Sequence, residues 1–283
     1  MNENRTGTLY LCATPIGNLE DITYRVLRIL KEVDLIAAED TRNSIKLLNH
    51  FEIKTPMTSY HEYNKIDKAY QLVEKLRQGK NIALITDAGT PGISDPGEDI
   101  VRICYEEGIP VTSLPGAAAC ITALTMSGLP TRRFAFEAFL PKDKKEHQAV
   151  LEELKNETRT MIIYEAPHHL VKALKELADT LGGDRRLTIC RELTKRHEEK
   201  IQMTLGESLS YYEINEPRGE YVLVIAGKSR TQVEEEARAG WESMSLEEHM
   251  AVYESQGIAR KEAMKLVAKD RGVSKRDIYN QLI

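Results

Sequence analysis

NIALITDAGTPGISDPG, residues 81–97, joins a short apolar run to a loop that is rich in glycine and proline. The run from Asn81 to Thr86 has the length and composition of a buried strand. The loop from Asp87 to Gly97 holds three glycines and two prolines in eleven residues, which is typical of turns. The stretch from Gly97 to Glu107 is amphipathic and predicts a helix. Together they indicate one strand–loop–helix unit of an α/β fold.

The same unit recurs through the first half of the chain. Further strands are predicted over Leu9 to Ala13, Leu35 to Ala38 and Pro110 to Leu114. Further helices are predicted over Asp21 to Glu32, Arg42 to Phe51 and Lys65 to Arg77. Repeated units of this kind predict a mostly parallel sheet that helices cover on both faces.

The regular alternation of predicted strands and helices changes after the turn at residues 127–130. Strands are then predicted over Phe134 to Phe139, Arg159 to Tyr164, Arg186 to Cys190, Lys200 to Leu205 and Tyr221 to Ala226. Helices are predicted over Lys144 to Lys155 and His168 to Leu181. The strands near Ile189 and Ile201 leave no room for a helix between them, which favours a mixed sheet. We therefore predict two α/β domains, residues 1–128 and 129–229.

Residues 230–283 are predicted to form a helical extension. Ser245 and Glu248 fit a capping box at the start of a helix. Gly257 and Gly272 are placed where helices end. The segment from Ala268 to Ile278 has the pattern of a helix-turn-helix. A small helical cap with a solvated charged face explains the same pattern, and the residues alone leave both interpretations open.

Composition excludes several classes of protein. The chain has 283 residues, a net charge of −5 and 41% hydrophobic residues, which allows a real core but no globally basic surface. No run approaches the roughly 20 apolar residues that cross a bilayer, and the first residues show no secretion signal. The four cysteines are far apart in sequence, so buried free thiols are expected and no metal site is predicted.

Three loops that follow predicted strands are rich in glycine, proline or alanine. They are residues 14–18, 87–97 and 115–119. The carboxyl ends of parallel strands meet at one edge of a sheet, where ligands bind, and small residues let the backbone approach a ligand. The alternative is that the glycines only make turns. No GxGxxG follows the first strand and no complete P-loop is present, which argues against an ordinary dinucleotide or nucleotide site.

Several longer strings resemble those of the tetrapyrrole methylase superfamily, and in particular of its RNA-modifying branch. They are LYLCATPIGNLEDIT, AAEDTRNSIKLL, SYHEYN, ALITDAGTPGISDPG, SLPGAAA, IIYEAPHHL, ICRELTKRHEE and RGEYVLVIAG. The resemblance runs from about residue 8 to residue 227. It implies a two-domain fold with S-adenosylmethionine in the cleft between the domains. It further implies a cytoplasmic homodimer that methylates the ribose 2′-oxygen of one cytidine of 16S rRNA near the decoding centre, either in free RNA or in the small ribosomal subunit.

The resemblance also assigns residues to the cofactor site. They are Pro15, Gly17, Asp87, Gly89, Thr90, Ile93, Ala117, Ala118, Tyr164, Glu165 and Ala166. Backbone groups of the small residues suit the edge of an adenine, and the Asp87 carboxylate suits an amino group. An alternative for Asp87 is that it caps the following turn.

Four residues are expected to handle the proton: Glu39, Asp40, His61 and Glu192. Glu39 and Asp40 follow a buried strand, and an acid pair at that edge is costly to bury without a role. Asp40 also fits the N-cap of the next helix. His61 is an alternative base because imidazole titrates near neutral pH, although a single histidine is more often structural. Glu192 follows a strand of the second domain and is expected to face the same cleft.

Basic residues at several places are expected to contact RNA. They are Arg42, Arg132, Arg133, Lys142, Lys195, Arg196, Arg260, Lys275 and Arg276. Arg42 has the geometry to grip a phosphate in a bidentate manner. Each of these residues alone is more often a solvated surface group. Two other functions stay open at this point: methylation of a tetrapyrrole-like small molecule, and a non-enzymatic nucleic-acid-binding protein that works through its C-terminal helices.

Overall fold

The first half of the chain folds around a five-stranded parallel sheet in a computed structural model that describes residues 6–242 and 244–282. Residues 1–5 of the predicted first domain and residues 243 and 283 of the predicted helical extension lie outside the described residues. The elements of this half are β1 (Leu9–Cys12), α1 (Tyr24–Glu32), β2 (Leu35–Ala38), α2 (Thr41–His50), β3 (Met57–Ser59), α3 (Lys65–Arg77), β4 (Ile82–Ile85), α4 (Gly97–Glu106), β5 (Val111–Leu114) and α5 (Ala119–Met126). The strand order is β3-β2-β4-β1-β5.

The predicted strands and helices of this half are confirmed, with small shifts at their ends. Helix α1 begins at Tyr24 instead of Asp21, because residues 19–21 form a separate 3-10 turn and the Thr23 hydroxyl accepts the Val26 N–H at 3.2 Å. Strand β3 was not predicted. It is only three residues long and half-buried, since it forms the edge of the sheet, and so it lacks a strong apolar signal.

Apolar packing on both faces explains why the central strands are almost wholly apolar. All four residues of β4 are buried. One face packs with α3 and α4 through Leu84, Leu72 and Ile100, and the other packs with α1 and α2 through Ile85 and Leu48. Strands buried on both faces show continuous instead of alternating hydrophobicity.

The second half forms a mixed five-stranded sheet, as predicted. Its elements are β6 (Phe134–Phe139), α6 (Lys144–Lys155), β7 (Thr160–Glu165), α7 (Pro167–Leu181), β8 (Arg186–Arg191), β9 (Glu199–Thr204), α8 (Leu205–Ile214) and β10 (Tyr221–Ile225). The order is β6-β7-β10-β8-β9. Strands β6 and β7 are parallel, whereas β10 is antiparallel to both β7 and β8. Helix α8 was not predicted.

Helix α5 connects the two halves by its packing. It follows the last strand of the first sheet, yet Cys120, Ala123 and Leu124 pack in one cluster with Ile162 and Val222 of the second sheet. Its sequence is apolar on most sides, so burial from more than one direction is favourable. The boundary near residue 128 stays a proposal, and the change of packing partner already occurs at α5.

Within its described residues, the C-terminal segment forms four helices: α9 (Arg230–Glu242), α10 (Leu246–Glu254), α11 (Arg260–Asp270) and α12 (Lys275–Gln281). The predicted capping box at Ser245 and Glu248 is present. Gly257 and Gly272 follow α10 and α11 with positive φ angles of 80° and 65°, as expected for helix stops. Met250, Val267 and Ile278 belong to a separate small core.

Candidate active site

The three glycine- and proline-rich loops meet at the carboxyl edge of the first sheet, at the adjacent strands β4, β1 and β5. Thr14 and Gly89 exchange two backbone hydrogen bonds, of 2.9 and 3.1 Å. The Thr90 hydroxyl donates to the Ala117 carbonyl at 2.9 Å. Gly89 has a φ of 85°, a conformation that glycine adopts without strain. The loops are therefore bonded to one another as one surface.

The carboxylate of Asp95 holds the longest loop in shape. It accepts the backbone N–H groups of Gly92, Ile93 and Gly97 at 2.7–3.0 Å. A Cβ atom at Gly97 would lie 2.6 Å from this carboxylate, so the close approach requires a glycine there. Because its backbone donors are satisfied internally, the loop is organised before any ligand binds.

A cavity of about 460 Å³ lies between this surface and the second sheet. Eight residues that were predicted for the cofactor line it: Asp87, Gly89, Thr90, Ile93, Ala118, Tyr164, Glu165 and Ala166. Phe139 also lines the cavity, and its ring centroid lies 5.7 Å from that of Tyr164. The volume falls in the range of roughly 300–1,000 Å³ that is usual for small-molecule sites.

Two other predicted cofactor residues, Pro15 and Gly17, line an adjoining groove of about 520 Å³. Ala117 lines neither space and instead accepts the Thr90 hydroxyl. A Cβ at Gly17 would lie 2.4 Å from Cγ of Lys195. Gly17 is thus required where the first loop contacts the second half of the chain.

Acidic side chains dominate the polar part of the cavity wall. Glu39, Asp87, Asp95, Glu165 and Glu220 all line it. Among the described residues, no lysine or arginine lines this cavity. Such a wall favours a ligand that carries positive charge.

Glu39 is half-buried and directly beside Asp87. Its Oε2 accepts the Asp87 N–H at 3.4 Å. Burial raises the pKa of Glu39, and the nearby Asp87, Asp95 and Asp40 carboxylates act in the same direction, against the hydrogen bond from Asp87. This carboxylate therefore holds a proton more readily than an ordinary glutamate does.

Asp40 differs from Glu39 although the two are adjacent in sequence. It caps α2, accepting the Arg42 N–H at 2.8 Å, and it binds the Arg42 guanidinium through both carboxylate oxygens. The hydrogen bonds from Arg42 lower the pKa of Asp40 to about 2. Asp40 does not line the cavity, so the capping interpretation describes its position.

The other two predicted proton acceptors lie outside the cavity lining. His61 follows β3 at the edge of the sheet, and its buried Nδ1 has no hydrogen-bond partner among the described residues. Glu192 accepts the Glu220 N–H and the Lys195 ammonium, both at 3.0 Å. Burial alone would raise the pKa of Glu192, but those two contacts outweigh it and the pKa is lowered.

The basic residues predicted for RNA are mostly exposed and are spread over the chain. Arg132 and Arg133 precede β6, Lys142 follows it, and Arg196 follows β8. Arg260, Lys275 and Arg276 lie in α11 and α12. Arg42 pairs with Asp40, and Lys195 pairs with Glu192 and Glu220. Of these residues, Lys195 lines the adjoining groove and none lines the cavity.

Glu220 is a site residue that sequence reasoning missed. It borders both the cavity and the groove. It precedes a strand, whereas the predicted ligand-binding loops follow strands. Tyr221 pairs with Glu165 at the end of β7 and with Arg191 at the end of β8. In this antiparallel arrangement the start of β10 lies at the same edge as the ends of its neighbours.

Three further findings concern cysteines, metal ligands and membrane spans. All four cysteines are buried free thiols, as predicted. Within residues 6–242 and 244–282, no cluster of three or more His, Cys, Asp or Glu side chains has the geometry for a metal ion. No helix in this part of the chain is long and apolar enough to span a membrane.

Comparison with known proteins agrees with this architecture. The family model of the tetrapyrrole (corrin/porphyrin) methylases matches residues 8–208. A ribosomal RNA small subunit methyltransferase I of Halalkalibacterium halodurans is 50% identical, over 97% of this chain and 94% of the relative. One of Bacillus subtilis is 47% identical, over 97% and 93%.

Solved structures share the fold at low sequence identity. A diphthine synthase superposes with a TM-score of 0.62 at 14% identity, over 80% of this chain and 92% of that one. A uroporphyrin-III C-methyltransferase of Thermus thermophilus, complexed with S-adenosyl homocysteine, gives 0.55 at 19% identity, over 78% and 97%. The predicted methyltransferase class and its S-adenosylmethionine cofactor are confirmed at the level of the family. The chain belongs to the tetrapyrrole methylase family and, within it, to the group named ribosomal RNA small subunit methyltransferase I.

Proposed function

We propose that this chain transfers a methyl group from S-adenosylmethionine to the ribose 2′-oxygen of a cytidine in 16S rRNA, near the decoding centre. The observation that carries the proposal is the acid-lined cavity between the two sheets, with Glu39 in its wall. The identity to proteins named as ribosomal RNA small subunit methyltransferases supports RNA as the acceptor. The ribose oxygen and its position in the RNA rest on the sequence resemblance.

The residues of the cavity fit the cofactor. Its sulfonium and amino groups are cationic, and Asp87, Glu165 and Glu220 place carboxylates in the wall. The loop backbone at Gly89 and Ala118 carries no large side chain, so flat groups can approach it closely. When bound there, S-adenosylmethionine supplies an electrophilic methyl group and a sulfur leaving group that departs as a neutral thioether.

Glu39 is the proposed proton acceptor. With the cofactor bound, the Glu39 carboxylate would accept the proton of the ribose hydroxyl while that oxygen takes up the methyl group and the sulfonium leaves as a neutral thioether. Burial raises the pKa of Glu39, which makes it a stronger base than Asp40, whose pKa is held at about 2 by Arg42. Asp40 is then a positioning residue, because its N–H donates to Asp87 Oδ1 at 3.3 Å.

His61 and Glu192 take different places in this proposal. His61 lies at the edge strand and is assigned no proton transfer. Glu192 holds Glu220 in the wall through the Glu220 N–H, so it is a second positioning residue. Exposed cations, including Arg132, Arg133 and Arg196, are proposed to contact RNA away from the reacting atoms.

The direct test is methyl transfer from labelled S-adenosylmethionine to purified small ribosomal subunits that lack the modification, followed by nucleoside analysis. Labelled 2′-O-methylcytidine is the expected product. Label on a base or on another nucleoside would overturn the assignment of the acceptor atom. An absence of label in RNA, with transfer to a precorrin-type compound instead, would establish the small-molecule alternative.

A cytoplasmic homodimer is also part of the proposal, on the basis of the sequence resemblance alone. Sedimentation of the full-length chain at several concentrations tests the oligomeric state. A single species of 32.1 kDa, the mass of one chain, would contradict the dimer.

A further inference from the structure

One wall of the groove next to the proposed cofactor cavity consists of residues that have no assigned role in methyl transfer. The groove measures about 520 Å³ and lies between the loop of residues 14–19 and helix α2. Asp87, Ala88 and Glu220 border both spaces. The groove is thus continuous with the site where the methyl group would be transferred.

One face of α2 forms the outer wall of this groove. Asn43, Ser44, Lys46, Leu47 and His50 all line it. Their spacing of three and four residues places them along one side of the helix. Four of these five side chains are polar, whereas Leu48, one turn after Ser44, packs into the core.

In this wall, Ser44 places a buried polar group without a partner in the described part of the chain. Its side chain is 4% exposed, and its buried Oγ has no hydrogen-bond partner among the described residues. A buried hydroxyl without a partner is costly, so such groups are rare in folded proteins. A ligand in the groove with an acceptor oxygen would satisfy it.

The acidic and basic side chains of the groove have different positions relative to the cavity. Asp87 and Glu220 lie at the border with the cavity, whereas Lys46 and His50 line only the groove. Lys195 also lines it but is paired with Glu192 and Glu220. Lys46 forms no ion pair with any residue that the structure describes, so its ammonium is available to an anion.

We propose that this groove holds the ribose–phosphate backbone of the acceptor RNA strand, with Lys46 and His50 on a phosphate and Ser44 Oγ donating to one of its oxygens. The inference rests on the proposed function and adds the place of the strand. The carboxylates at the border repel a phosphate, which places it beside Lys46 and His50 in the later turns of α2 and leaves the adjoining ribose on the side of the cavity that Glu39 lines. Arg42 lies four residues before Lys46, one helical turn or about 6 Å away, but it pairs with Asp40 and does not line the groove.

The test uses the full-length chain, labelled S-adenosylmethionine and small ribosomal subunits that lack the modification. Lys46→Gln, His50→Gln and Ser44→Ala are compared with Lys31→Gln, which changes an exposed lysine of α1 that lines neither space. KM for subunits, kcat, the Kd for S-adenosylmethionine and the thermal midpoint are measured for each. The salt dependence of kcat/KM is measured for the lysine variants.

We expect Lys46→Gln to raise KM for subunits about tenfold, as for the loss of one charge-assisted hydrogen bond. It should also reduce the slope of log kcat/KM against log salt by about one. Kd for S-adenosylmethionine should stay unchanged. Ser44→Ala should raise KM without lowering the thermal midpoint, because the free protein loses no hydrogen bond.

Two outcomes separate the groove from the proposed function. If the wild-type chain labels no RNA, the proposed function fails and the groove assignment fails with it. The groove assignment alone is wrong if the wild type labels RNA but Lys46→Gln and Ser44→Ala have the same KM for subunits as the control Lys31→Gln. In that case Lys46→Gln also has the same salt slope as Lys31→Gln. A raised Kd for S-adenosylmethionine with unchanged KM for subunits would assign the groove to the cofactor instead.

Discussion

Asp87 donates its backbone N–H to Oε2 of Glu39 across two neighbouring strands, at 3.4 Å. The Asp87 carboxylate in turn accepts the Asp40 N–H at 3.3 Å and the Asn43 amide at 3.1 Å. The start of α2 and the loop after β4 thus hold each other in place. Glu39 is kept in the cavity wall, and Asp87 stands between the cavity and the groove.

Glu39→Gln should remove the proposed proton acceptor while keeping the shape of the side chain. We expect kcat to fall by about 10² to 10⁴, the usual contribution of a general base. The Kd for S-adenosylmethionine should change little. Because burial raises the pKa of Glu39, the wild-type single-turnover rate should rise with pH through a pKa above the ordinary glutamate value of about 4.3.

The control for this prediction is Asp40→Asn. The pKa of Asp40 is about 2, so this group stays ionised over the measurable range and contributes no rising limb. A limb that persists in Glu39→Gln and disappears in Asp40→Asn would assign the proton to Asp40 instead.

Ala118→Leu should block the cofactor without unfolding the chain. Ala118 lines the cavity, and a larger side chain would occupy its volume. We expect Kd for S-adenosylmethionine, measured by titration calorimetry, to rise at least about tenfold, which corresponds to about 1.4 kcal/mol. Ala149→Leu, at an exposed position of α6, should bind as the wild type does. Equal affinities for the two variants would place the cofactor elsewhere.

Tyr164→Phe should weaken the junction between the two halves. The Tyr164 hydroxyl accepts the Cys120 N–H at 3.0 Å, and α5 has no side-chain cap of its own. Leaving this donor unpaired costs about 1–3 kcal/mol, which predicts a thermal midpoint lower by several degrees. Tyr105→Phe, at a side chain 87% exposed, is the control, and an equal midpoint in both would show that the bond contributes nothing.

The ion pair of Glu157 and Arg159 should stabilise the fold near neutral pH, and this contribution should be lost in acid. The hydrogen bond from Arg159 lowers the pKa of Glu157 to about 2, below the unfolded value of about 4.3. A group with a lowered folded pKa stabilises the fold above the unfolded pKa, and the effect is lost as pH falls toward the folded pKa. The free energy of unfolding of Glu157→Gln, measured with denaturant, should therefore depend less on pH between about 4.5 and about 2 than that of the wild type. Glu152→Gln, which changes an exposed glutamate, is the control and should behave as the wild type does.

His249 should make the C-terminal helices sensitive to pH. It is fully buried, stacks on Trp241 with ring centroids 4.1 Å apart, and its Nδ1 accepts the Arg271 Nε–H at 3.1 Å. Burial lowers the pKa of His249, and the Arg271 charge adds to this, while Asp270 opposes it. The neutral form is thus favoured by folding, so its stabilising effect is full above the unfolded pKa of about 6.5 and declines below it.

Trp241 is the only tryptophan of the chain, so its fluorescence reports on this cluster. We expect the emission to change as pH falls below about 6.5 in the wild type and to stay level in His249→Gln. The same change in both proteins would assign the transition to another group. Tyr253 shares Asp270 with His249, so Tyr253→Phe tests whether the network acts through that carboxylate.

The sequence was sufficient for the α/β class and for the loops of the site, because both follow from local patterns. Apolar runs such as Ile82–Ile85 mark strands, and glycine and proline in residues 87–97 mark the loop between strand and helix. The predicted meeting of three loops at one edge is confirmed. The quoted sequence motifs indicated the family, which the periodicity of apolar residues alone does not identify.

The positions of single acidic residues needed the tertiary structure. Glu39 and Asp40 are equivalent in the sequence pattern, yet one lines the cavity and the other caps α2. Glu220 was not predicted as a site residue because its position depends on the direction of β10, which is set by the pairing of β10 with β7 and β8. Those pairings join residues far apart in the chain, and short sequence windows do not contain them.

What the sequence by itself determined is the succession of strands, helices and ligand-binding loops, since periodicity, glycine and proline act within a few residues. Only the tertiary structure decided that β4, β1 and β5 are neighbours, that α5 packs against the second sheet, and that one face of α2 borders the cavity. The physical reason is that strand order and interdomain packing depend on side chains meeting across long separations in the chain. Glu39 and Asp87, 48 residues apart, meet only because β2 and β4 are paired.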